Sequence, residues 1–163
     1  MNNRTLQKRI PLEKARNSLA AIWFVGAAAP FTILILQSIL GKYTDPDGTD
    51  AVQKVWAWFT PNIAPALALI IGVMGAMAMA TDQERRSVKP FFLTLSKGLS
   101  LCYLLALTLT LALEPFGNIH GMDLFTISNF WLGPLQSLAV AAITVLFTSQ
   151  DKVSKDSRPS PGT

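Results

Sequence analysis

The sequence predicts an all-α integral membrane protein, a bundle of four transmembrane helices with both termini in the cytoplasm. Three observations carry that reading. Four apolar stretches, residues 18–40, 58–80, 90–113 and 128–148, each match the about 20 residues that a helix needs to cross a ~30 Å hydrocarbon core. Over 163 residues, 50% of side chains are hydrophobic and only 15% charged, with a mean hydropathy of +0.36. Soluble domains carry about 25% charged residues. Finally, the lysines and arginines behind the net charge of +4 sit at the ends of apolar runs. That placement orients a membrane protein and argues against a nucleic-acid partner.

Residues 1–17 hold Arg4, Lys8, Arg9, Lys14 and Arg16 against one acid, Glu13, and read as a basic cytoplasmic flank. Contact with anionic lipid headgroups is the alternative use of such a segment. Pro11 suits the first turn of a helix. The first span, residues 18–40, has Trp23 near its start and Gln37 and Ser38 near its end. Pro30, close to its middle, removes one backbone hydrogen bond and is expected to kink it, which membrane helices tolerate when neighbours satisfy the released carbonyl. The run is longer than the apolar core of a signal peptide, so no cleaved leader is expected.

The connection at residues 41–55, GKYTDPDGTDAVQKV, superficially resembles a calcium loop. Counted from Asp45, however, the glycine position holds Asp50 and the bidentate-glutamate position holds Trp56, so a turn is expected instead. Cys102 is the single cysteine and His120 the single histidine. Neither a disulfide, a metal site nor a cofactor is expected from them.

Residues 56–80 carry no charged side chain, and within them Ala64, Ala68, Gly72, Ala76 and Ala80 recur at every fourth position beside Gly75. Small residues so spaced let another helix backbone approach closely. Helix 2 is therefore expected to be the packing spine, with Ala64, Ala68, Gly72, Gly75 and Ala76 as its contact residues.

The third span contains the one intramembrane charge, Lys97. Such a residue costs roughly 2.5–3.5 kcal/mol at the bilayer centre and is a functional candidate by default. Lying roughly 10 Å along the helix from Pro90, it can snorkel toward the loop holding Asp82 and Glu84, or line a pore. Glu114 at the far boundary is expected to meet water. In the fourth span, Gly133 and Pro134 are expected to start the regular helix, leaving residues 127–132 as an interfacial run anchored by Trp131. Asn129, Gln136 and Ser137 gather there and join Lys97 as the candidate pore or polar-contact set. Residues 151–163 are a polar, Ser/Pro-containing tail, expected to be disordered.

Of fourteen lysines and arginines, five lie in residues 1–17, three in residues 81–89 and three in the tail, against only Lys42 and Lys54 in the other two connections. The positive-inside rule then places both termini and the Arg85/Arg86 loop in the cytoplasm of a multi-pass cell (inner) membrane protein. A weak internal echo accompanies this topology. Trp58 and Pro61 recur as Trp131 and Pro134 at an offset of 73 residues, as a duplicated hairpin would produce.

The spans contain no Asp, Glu or His, and the chain has no nucleophile elbow or phosphate-binding glycine loop, so no enzymatic activity is expected. Three readings stand. The protein self-associates through helix 2 into a pore or channel; or it is an accessory, assembly or regulatory subunit of a larger complex; or it is a small transporter, a reading weakened by the missing membrane carboxylate. The partners expected are the lipid bilayer and either further copies of the chain or another membrane protein.

Overall fold

A computed structural model describes residues 10–43, 50–79, 87–116 and 121–148. They form four helices, α1 (Leu12–Ile39), α2 (Asp50–Ala78), α3 (Pro90–Leu113) and α4 (Gly121–Thr148). Each is long and apolar enough to cross a membrane, which marks a multi-pass membrane protein with an all-α bundle. A short 3-10 turn, Glu114–Phe116, follows α3. Ahead of α1, β1 (Ile10–Pro11) pairs antiparallel with β2 (Ser87–Val88), so the start of the chain is tied to the α2–α3 connection. Helix direction alternates. The starts of α1 and α3 share one end of the bundle with the ends of α2 and α4, here the terminal face; the other two connections form the distal face.

α3 coincides with the apolar stretch 90–113, and the other three helices differ from theirs at their boundaries, for physical reasons. α1 begins at Leu12 because Leu12, Ala15 and Leu19 bury one face before the uncharged run starts, so part of the basic flank is already helix. α2 begins at Asp50, where Val55, Trp58 and Phe59 likewise supply a buried face. The expected helix start at Gly133 and Pro134 is not observed, and α4 runs through both from Gly121. A helical proline forfeits one N–H but keeps an α-compatible φ. Phe125, Ser128 and Leu132, all buried and about one turn apart, hold the preceding segment in helix.

The spine of the bundle is α3 rather than α2. α3 packs extensively on both α1 and α4, whereas α2 lies mainly against α4 and touches α1 little. At Gly26 of α1 the space is filled from α3, and an added Cβ would stand 2.6 Å from Leu104 Cδ1. One turn earlier, the fully buried Trp23 lies with its ring 5.8 Å from that of Tyr103 and donates from Nε1 to Ser100 Oγ at 2.9 Å. The missing side chain at position 26 is thus what lets these two helices seat.

The 73-residue echo extends to burial at some positions only, for Trp58 is buried and its counterpart Trp131 exposed. Val55, Phe59, Ala66 and Ile70 are buried, and so are their counterparts Ser128, Leu132, Ala139 and Ile143. The two hairpins are nevertheless packed differently, α3 closely on α4 and α1 only lightly on α2.

Candidate functional site

Polar side chains inside the bundle fall into three layers. At the terminal face, Arg16 is only 8% exposed and donates from Nη2 to the carbonyl of Phe147, with its Cζ 5.3 Å above the Phe147 ring. The last carbonyls of a helix have no intrahelical donor and carry the negative end of its dipole. α4 has no basic residue in its last turn, and Arg16 provides from α1 the cation that end lacks. Nearby, Ser96 Oγ donates to Ala142 O at 3.0 Å and joins α3 to α4.

The middle layer surrounds two prolines of α2, Pro61 and Pro65. Pro65 has no N–H to give to Pro61 O, and Gln136 Nε2 of α4 donates there instead, at 2.8 Å. Tyr103 of α3 donates its hydroxyl to Asn62 O, with Asn62 Oδ1 3.3 Å away, while Asn62 Nδ2 donates to Trp58 O at 2.8 Å. Every one of these groups faces a broken or adjacent rung of the α2 ladder.

At the distal face, Lys42 and Glu114 form an ion pair, and Tyr43 donates its hydroxyl to Gln37 Oε1. Gln37 Nε2 in turn donates to Leu111 O at 3.3 Å. Burial, and secondarily the negative charge of Glu114, hold the Tyr43 phenol well above its ordinary pKa, so it remains a donor. Rings continue the contact from Tyr43 to Phe125 (6.4 Å) and from Phe125 to Trp58 (4.5 Å). That stacking buries Trp58 Nε1 without a hydrogen-bond partner. Glu114, expected to meet water, is 9% exposed because Lys42 neutralises it inside this clasp.

The residues singled out in the sequence are dispersed. Ala64, Ala68, Gly72, Gly75 and Ala76 share one exposed face of α2 that no other helix of the chain covers. A Cβ added at Gly72 or Gly75 would meet nothing within 4 Å. Lys97 is half-buried and has no ion pair among the described residues. Asn129 is exposed, Gln136 serves Pro61, and Ser137 bonds back to Gly133 O at 2.9 Å. Ser96, next to Lys97, meets Ala142, which lies roughly 20 Å along α4 from Asn129. Lys97 and Asn129 are therefore not brought together. Pro30 is buried within α1. Ala80, Asp82, Glu84, Arg85, Arg86, His120, the Asp45 loop and the tail lie outside the described residues, among which no grouping suited to a metal ion occurs.

Sequence reasoning missed Arg16, Gly26, Tyr103 and the Lys42–Glu114 pair as contact makers. Only the middle layer had a readable signal, since two prolines one turn apart require donors from elsewhere. The chain matches no protein-family model, no curated protein and no solved structure.

Proposed function

We propose that this chain is a small polytopic membrane protein that self-associates in the bilayer through the small-residue face of α2. One observation carries the reading. Once the four helices have packed, the surface left on α2 includes Ala64, Ala68, Gly72, Gly75 and Ala76, with Ile71 beside them, while α3 presents Phe91, Leu101, Leu105 and Leu109 outward. A surface rich in small residues offers a second helix close backbone approach, which is the main source of helix association where no water is displaced. The charge distribution supports an arrangement with both termini in the cytoplasm of the cell membrane, and Pro30 supports a bend in α1.

In the pore reading, copies joined at α2 enclose a path to which Lys97 contributes positive charge. A specific observation favours the second reading, an accessory or assembly subunit. Ser96, Thr110, Gln136 and Ser137 all bond within their own protomer, leaving few polar groups of α3 and α4 to line a path.

Mass measurement of the purified protein in detergent, combined with crosslinking in membranes, tests the self-association. Wild type is expected as a discrete oligomer, and Ala68→Leu or Gly72→Leu as a monomer that still inserts. A wild-type monomer bound one-to-one to a different membrane protein would transfer the α2 face to the subunit reading. Single-channel recording of wild type and Lys97→Ala then separates pore from subunit, because only a pore changes conductance or ion selectivity.

A further inference from the structure

We infer that the turn between Pro61 and Pro65 is a hinge latched by Tyr103 and Gln136, on which the terminal-face half of α2 moves as an arm. The inference deepens the proposed association, since the arm carries Gly72, Gly75 and Ala76, but its evidence is separate from it.

The ladder of α2 is weakened at two places one turn apart. Pro61 has no N–H for Ala57 O, and Pro65 has none for Pro61 O. The exposed carbonyl of Pro61 is taken by Gln136 of α4 and the carbonyl of Asn62 by Tyr103 of α3. Gln136 thus replaces the backbone donor that Pro65 lacks, and Tyr103 adds a second side-chain bond to the neighbouring carbonyl, so the turn is held in part by side chains of other helices.

The two halves that meet at this turn are anchored unequally. Toward the distal face, Val55, Trp58 and Phe59 are buried, and the ring of Phe31 on α1 lies 5.7 Å from Trp56 and 6.2 Å from Phe59. Toward the terminal face, Ile70 is the last buried residue among those described in α2. Beyond it Ile71 is 57% exposed, and space is open around Gly72 and Gly75. A rigid proline kink needs packing on both sides of the break. Here the distal side adds ring contacts with α1, while the terminal side rests on Ala66 and Ile70 with Leu67, Leu69, Val73 and Met74 half-buried against the core, so release of the latches lets the arm shift about the turn on that one row of contacts. Movement of the arm re-aims the small-residue face, which gives association a conformational control.

The test uses the full chain in nanodiscs loaded at one protomer each, so that it reads the hinge whether or not α2 self-associates. Spin labels are placed at Ala78→Cys and Val145→Cys in a Cys102→Ser background, and the label separation is measured by pulsed electron resonance. A single narrow distance is expected with the latches present, and a broadened or second, longer distance with Tyr103→Phe and Gln136→Leu combined. An unchanged distribution in that folded double variant overturns the hinge. Should the double variant not fold, Tyr103→Phe alone, which removes one oxygen, is followed by amide hydrogen exchange. Exchange is expected to rise about fivefold in residues 66–78 relative to residues 50–60, as loss of one hydrogen bond implies. An equal rise in both halves, or none, overturns the hinge as well.

Discussion

Two glycine-containing helix faces in this bundle look interchangeable in sequence and do opposite things. Around Gly26, α1 presents a gap that Leu104 of α3 fills, with Trp23 and Tyr103 sealing the turn before it. Around Gly72, α2 presents a gap that nothing among the described residues fills. A small residue therefore records that a close neighbour is permitted, and burial of the surrounding side chains decides whether that neighbour belongs to the same chain. In α1 those surroundings are Trp23 and Ala27, both buried; in α2 they are Ala68 and Ala76, both exposed. The first face builds the protomer and the second is left for what lies outside it.

Four substitutions break or sharpen this contrast. Trp23→Ala empties a fully buried site and removes the donor to Ser100, and is expected to lower stability by about 3–5 kcal/mol, read as detergent thermal unfolding. Gly26→Leu drives a side chain into Leu104 and is expected to cost about 1–3 kcal/mol by the same assay. Retention of the wild-type melting temperature by Gly26→Leu would mean that the α1–α3 contact is not the close one. Gly72→Leu, in open space, is expected to stay within about 0.5 kcal/mol of wild type in stability while losing crosslinked oligomer. Leu105→Ala, on the exposed face of α3, is expected to change neither stability nor oligomer yield. If Leu105→Ala abolished crosslinking and Gly72→Leu did not, the association face would have to be moved from α2 to α3.

Helix number and approximate position were legible in the sequence because bilayer thickness imposes a length on any apolar run that spans it. Helix ends were not, apart from those of α3, since they depend on which polar residues a neighbour will accept. Arg16 reads as one more flanking cation until the carbonyl of Phe147, 131 residues later, is placed beside it. The same holds for Glu114, whose burial depends on Lys42 across an intervening connection. The stripe on α2 was visible as a pattern, but periodicity is silent on whether a stripe faces inward. Gly26 shows the converse, as one glycine among alanines that forms no repeat and yet makes room for Leu104 of α3. Gln136 was singled out as a polar contact, and its acceptor emerged only from the spacing of two prolines on a different helix.

The guanidinium that completes the end of α4 also sets an order on biosynthesis. Arg16 is synthesised 131 residues before its acceptor, Phe147. Until then the first helix resides in the translocon or bilayer with a cation at its edge awaiting the last helix, so closure of the bundle is a late event. A chain arrested before residue 121 lacks that acceptor altogether. The bond between the first and fourth helices therefore forms only once the whole of α4 has been made.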